Sequence, residues 1–233
     1  MDSHKGIFLV LLATIMANSD AFPVGHPNNT TNHQANATQT VESIRQSFHS
    51  MTINEIAKSM RDSIFNLIKD CLIVEQNFAS SLPQNLETAS APFNQLKLDS
   101  ISCQPFQIVD RMRTYRHALI QFTNPLNTMM KEAQWSPTQR RMLLKLSNSL
   151  IWLNVYQIKM LESFEADEVK SSLSPSVLQL ETATRSYLAN NFPQLHVTEN
   201  QMKTVRTLSF VKALSKVVET MQLETGLAMP FTE

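Results

Sequence analysis

From Ile53 onward, apolar residues recur at Ile53, Ile56, Met60, Ile64, Leu67, Cys71, Val74 and Phe78, in steps of three or four. That is the helical period, and it predicts a first helix over this stretch, reaching back toward Thr40. Arg61, Asp62, Lys69 and Asp70 fill polar positions between the apolar ones. Residues 79–104 carry Pro83, Pro92 and several Ser and Asn without a period, which predicts a long connection. A second helix starts at Pro105, a favoured first helical position, with Ile108, Met112, Tyr115, Leu119 and Phe122 on one face. Pro125 is expected to kink or end it, with Leu126, Met129 and Met130 continuing the face. A very short joint follows at Trp135-Ser136-Pro137, where Ser supplies an N-cap and Pro the first helical residue. Leu143, Leu146, Leu150 and Leu153 then form the stripe of a third helix running to about Phe164. A second long connection covers 165–199, with a short helix from Ser174-Pro175 to about Ala189 and Pro193 marking its end. The last helix starts near Thr198-Glu199 and carries Phe210, Val211, Leu214, Val217, Val218 and Met221, a complete core stripe.

Connection length then constrains topology. A tight joint forces the second and third helices to lie antiparallel, whereas each long link can travel the length of a bundle and let neighbours run parallel. The expectation is an all-α fold, an up-up-down-down four-helix bundle with two long crossover loops. Glycine use agrees: the only glycines are Gly6, Gly25 and Gly226. Phosphate-cradling P-loops, dinucleotide-binding GxGxxG turns and GxSxG nucleophile elbows all need glycine. Tight β-hairpins lean on it too.

In this helix-link-helix order the chain resembles the long-chain helical cytokines, the group that contains interleukin-6, the interleukin-12 alpha chain and leptin. The resemblance spans about residues 40–222 and rests on architecture. It implies a secreted protein that presents receptor-facing helix surfaces. Some members carry a Phe-x-x-Lys near the start of the last helix; here Phe210 is followed by Ala213 at that spacing, with Lys212 one residue early.

The N-terminus adds a destination. Lys5 precedes the apolar run Gly6 to Ala17, and small residues follow at Ala17, Ser19 and Ala21. That order is a secretory signal peptide, too short to span a bilayer. The segment behind it is polar and holds three N-x-[ST] sequons, at Asn28, Asn29 and Asn36, which reads as a glycosylated leader. The expected partition is a signal peptide over 1–19, a leader over 20–39, a bundle over 40–224 and a C-terminal tail over 225–233. In an oxidising compartment Cys71 and Cys103 are expected to form a disulfide; a buried free thiol and an intersubunit bridge are the alternatives.

Composition supplies little chemistry. Twenty Lys and Arg balance twenty Asp and Glu, so no strongly basic footprint marks a nucleic-acid binder. The six histidines, His4, His26, His33, His49, His117 and His196, form no HExxH or helical His pair, and no CxxC is present. No catalytic residue, cofactor or metal ligand is expected. Arg111, Arg113 and Arg116, and the run Gln139-Arg140-Arg141, read as solvated faces. On the last helix Val205 and Leu208 lie opposite the core stripe, in line with Lys212 and Glu219. Apolar residues on an outer face rimmed by charge suit a receptor-binding site, unless the second crossover folds over them. The leading expectation is a secreted cytokine or hormone that binds cell-surface cytokine receptor chains, alone or with a second secreted subunit, without membrane insertion of the mature chain. The alternative is a secreted helical carrier or inhibitor that binds an apolar ligand within the bundle.

Overall fold

The computed structural model describes residues 51–93, 96, 108–164 and 174–228. The signal segment, the three sequons, Cys103 and the C-terminal tail beyond Ala228 lie outside the described residues. The fold is all-α: five helices are present and no strand occurs among the described residues. They are α1 (Ile53–Ser80), α2 (Ile108–Met130), α3 (Pro137–Ser163), α4 (Val177–Asn191) and α5 (Glu199–Ala228).

Two compact units divide the chain, 1–59 and 60–233. In the first, the described part is the start of α1. Thr52 caps it: the Glu55 backbone N–H donates to the Thr52 hydroxyl, and the Thr52 N–H donates back to the Glu55 carboxylate at 2.7 Å. This capping box fixes the first turn at Ile53, not near Thr40. The Thr52 N–H and hydroxyl also hold the Glu55 carboxyl below the usual carboxylate range.

In the second unit, α1 buries Met60, Ile64, Leu67, Cys71, Val74 and Phe78, the stripe its period predicts. α2 and α3 form an antiparallel hairpin, because partners rise along one as they fall along the other. Ser147 donates to Asn127 at 2.7 Å, Asn154 to Thr123 at 3.5 Å, and Arg116 reaches the Asn154 carbonyl at 3.3 Å. The joint between them, 131–136, is closed by Trp135, whose indole N–H donates to the Met129 carbonyl at 2.6 Å. Its ring packs against Phe78 with centroids 5.2 Å apart. Pro125 sits inside α2 without ending it. It removes one backbone donor, but the turns beyond it carry Leu126, Met129 and Met130 into the core, and that burial outweighs the lost bond.

Local punctuation sets the other helix starts. Ser136 and Gln139 form a reciprocal capping box at α3, with Pro137 as its first residue. The same box recurs at α4 with Ser176 and Gln179, two residues later than the Ser174-Pro175 start. Ser174 donates instead to the Ile120 carbonyl of α2. At α5 the Thr198 hydroxyl accepts from the Gln201 N–H and the Gln201 side chain accepts from the Thr198 N–H. α5 continues to Ala228, beyond Glu224, where the bundle was expected to end.

α5 is enclosed on every side over residues 204–211. Phe210 packs against Phe122 of α2 at 5.0 Å, and Thr207 reaches the Met129 sulfur at 3.7 Å. On one flank lies α4; on another the first crossover, where the Ala91 N–H donates to Ser209 at 2.8 Å and Lys212 donates to the Ala89 carbonyl at 3.4 Å. At the centre is Arg206, fully buried, its guanidinium 2.6 Å from the Glu132 carboxylate and 3.3 Å from that of Glu181. These two carboxylates come from the α2–α3 joint and from α4, so one cation fastens three segments. Replacing Arg206 by Met leaves Glu132 without a counter-ion and Glu181 with Arg185 alone, and is expected to cost about 3–5 kcal/mol in urea unfolding. Adding Glu132→Gln and Glu181→Gln to the Arg206→Met chain should recover most of that loss; no recovery would mean that Arg206 acts through packing alone.

Candidate functional site

The predicted receptor face on α5 does not form a free surface. Val205 and Leu208 are both fully buried, so they belong to the core. The reason lies in the first crossover, which crosses α5 at Ser209 and Lys212 and brings Leu82, Leu86, Ala89 and Ala91 into the interior. Lys212 is half-buried and faces the Glu75 carboxylate. Glu219 remains exposed, its carboxylate accepting from Ser215 at 2.9 Å. The four residues are therefore split between core, cover and surface.

Exposed apolar area is found elsewhere. On α1, Phe65 is 62% exposed, Leu72 47% and Ile73 36%. Phe65 and Leu72 are seven residues apart, two turns on one helix face. Arg61, Phe65, Lys69, Leu72 and Gln76 form an outward stripe at steps of four, four, three and four, flanked by Asp62 and Ile73. α3 carries a matching stripe, with Arg141, Lys145, Trp152, Tyr156 and Lys159 at the same kind of spacing. Trp152 and Tyr156 are half-buried and stacked, with centroids 6.1 Å apart.

Asp70 ties α1 to α3. It is 3% exposed and accepts from Ser149 at 2.7 Å, with the Lys145 ammonium 2.8 Å away. Lys145 and Ser149 sit within the α3 stripe, and Asp70 follows Lys69 and precedes Ile73 by one turn. On α1 itself the outward face mixes the apolar Phe65, Leu72 and Ile73 with the exposed cations Arg61 and Lys69. Lys145 is neutralised by Asp70, and Lys159 by Glu162 at 2.7 Å. Arg61, Asp62, Lys69 and Arg141 stay exposed.

The arginines of α2 divide differently from the expected solvated cluster. Arg111 and Arg113 are half-buried, and Arg116 is 3% exposed and spent on the α2–α3 contact. Arg140 and Arg141 are exposed as read. Cys71 is a buried free thiol. Burial pushes its pKa well up, and the nearby Glu75, Asp70 and Glu219 carboxylates push it further, so it stays protonated and a poor nucleophile. Its expected partner, Cys103, lies outside the described residues.

Among the described residues no group of three or more His, Cys, Asp or Glu is placed to hold a metal ion, and no helix is long and apolar enough to cross a membrane. An open hollow of about 440 Å³ lies where α4 meets α5, lined by Leu188, Phe192, Leu195, Val197 and Met202 together with Arg185 and His196. The Arg185 guanidinium is already engaged by Glu199 at 2.6 Å and Glu181 at 3.0 Å, so it is not available to draw in an anionic ligand. No family model, curated protein or solved structure matches this chain.

The α1–α5 contact carries a titratable group. Burial raises the Glu75 carboxyl above its usual range against the opposing pull of Lys212 and Ser215, with Glu219 adding to the rise. One Glu75 oxygen is buried without a hydrogen-bond partner. A carboxyl whose folded pKa is raised binds its proton more tightly when folded, so stability falls as pH rises from the unfolded value, near 4.3, through the folded one. Glu75→Gln is expected to raise the melting temperature at pH 7, and the gain should vanish below about pH 4. A gain that persists in acid would show that packing, not ionisation, is responsible.

Proposed function

We propose that this chain is a secreted helical signalling ligand, and that it engages a cell-surface receptor through the outward face of α1. The four long helices are taken to run up-up-down-down, the layout of the long-chain helical cytokines. Several pairings support that layout. Asp70 of α1 meets Ser149 of α3 while Phe78 meets Trp135 just before α3, which makes α1 and α3 antiparallel. Phe122 meets Phe210 and Met129 meets Thr207, and Tyr115 bonds Glu224 near the other end, so α2 and α5 run oppositely. Together with the α2–α3 hairpin, these senses support a reading in which α1 runs with α2 and α3 with α5.

Secretion is supported by the signal-peptide order at the N-terminus and the sequons behind it. The observation that carries the binding role is Phe65, an aromatic side chain more than half exposed on a helix whose opposite face already supplies its share of core. Leaving Phe65, Leu72 and Ile73 in water together forgoes several kcal/mol of burial, and exposed apolar clusters rimmed by charge mark interaction surfaces. Arg61, of a residue type enriched in binding hot spots, is exposed on the same helix face.

The test is saturable binding of the labelled, secreted protein to intact cells. Phe65→Glu with Leu72→Glu should weaken it by about 2 kcal/mol or more, roughly thirtyfold. Helicity and melting temperature should stay unchanged, because both side chains are exposed. Absence of saturable binding by the unaltered protein would end the receptor-ligand reading.

A further inference from the structure

We infer that α4 is a hinged strap that lifts off α5 as a unit while α1, α2, α3 and α5 stay folded. Its pivot is the 192–198 turn, and its opening uncovers the flank of α5 that carries Met202 and Arg206. The seam between the two helices has charges at its centre and little apolar surface around them. α4 buries Leu180, Thr184 and Leu188. At the turn the packing is already incomplete, because the hollow of about 440 Å³ is lined by Leu188 and Phe192 on one side and by Met202 on the other.

Among the described residues two ion pairs cross this seam, Arg206 with Glu181 at 3.3 Å and Arg185 with Glu199 at 2.6 Å. Parting them orphans no charge. On α4, Glu181 keeps Arg185 at 3.0 Å. On α5, Glu199 keeps Lys203 at 3.7 Å. Arg206 keeps Glu132 of the α2–α3 joint at 2.6 Å. The large penalty for breaking a buried ion pair comes from a charge left without a counter-ion, and here each charge has a second one on its own side.

Hydrogen bonds divide in the same way. The buried Thr184 hydroxyl donates to the Leu180 carbonyl of its own helix at 2.8 Å. The Ser176–Gln179 capping box and the bond from the Phe192 N–H to the Leu188 carbonyl are also internal to the strap. Toward the first crossover, the Ser90 N–H donates to the Tyr187 hydroxyl at 3.3 Å, and that bond must break. A segment with few buried apolar side chains and self-contained polar groups opens well below the free energy of global unfolding.

Hydrogen exchange of the full-length protein, read peptide by peptide by mass spectrometry in sub-denaturing urea, tests the strap. Released from α5, a helix of 15 residues is marginal in water, so its amides exchange. Amides of 181–190 should exchange at least about a hundredfold faster than those of 204–211, with a shallower dependence on urea. Two variants separate local from global opening. Glu181→Gln with Glu199→Gln removes both cross-seam pairs and should speed exchange in α4 about tenfold. Ile64→Val trims a buried side chain of α1 and should speed exchange in 204–211 roughly fivefold. It should leave α4 unchanged, because the open and closed strap share that core. Melting curves confirm that both variants are folded. A common rate and urea dependence for α4 and α5, equal acceleration of both by Ile64→Val, or α4 exchange that ignores the seam variant would each overturn the proposal.

Discussion

A guanidinium with no access to solvent constrains more of this molecule than any apolar contact does. Arg206 must keep two carboxylates at hand, because a buried charge without a counter-ion costs several kcal/mol. Those carboxylates, Glu132 and Glu181, arrive from the α2–α3 joint and from α4. α4 brings little apolar surface of its own, burying Leu180, Thr184 and Leu188, so ion pairs carry a large share of its attachment. Arg185 extends the cluster to Glu199 and draws that carboxyl below its usual range. A buried ion pair is weak evidence for stability, but it tolerates little displacement. Here it fastens α4 to α5 and to the α2–α3 joint.

The consequence is a last helix with no free side over 204–211. α4 covers one flank of α5, the 82–91 segment another, and α2 fills the interior face. Polar residues follow from that enclosure. Ser209 and Thr207 are buried and hydrogen-bonded to their covers, as buried hydroxyls must be. A helix so enclosed offers a partner little over that stretch. On α1, Phe65, Leu72 and Ile73 stay exposed, while Asp70 ties that helix to α3 through Lys145 and Ser149.

Much of the fold was legible from local chemistry. The core stripe of α1, the Ser136-Pro137 start of α3, the short helix inside the second crossover and the Thr198 start of α5 all follow from periodicity and capping, which act over three or four residues. Errors arose where two local signals competed. Ser176 with Gln179 outranked Ser174-Pro175, because a reciprocal box satisfies two orphan N–H groups where a lone cap satisfies one. Pro125 does not end α2, and Leu126, Met129 and Met130 continue its buried face as their spacing predicts. The candidate site was less legible. Phe65 and Leu72 stand one position off the core stripe with a spacing of seven, a signal that was present but indistinguishable from apolar residues under a loop.

Taken alone, the order of residues determined which stretches are helical, where most of them begin, and which face of each carries the bulk of its core, since these depend on neighbours within a turn or two. Two apolar pairs at similar off-stripe positions, Val205 with Leu208 and Phe65 with Leu72, met opposite fates: the first is wholly buried and the second is exposed. Only the tertiary structure could separate them. Burial of an off-stripe residue depends on segments a hundred or more positions away, such as Ala89 and Ala91 over α5, and on the distant carboxylates that a single buried arginine holds in place.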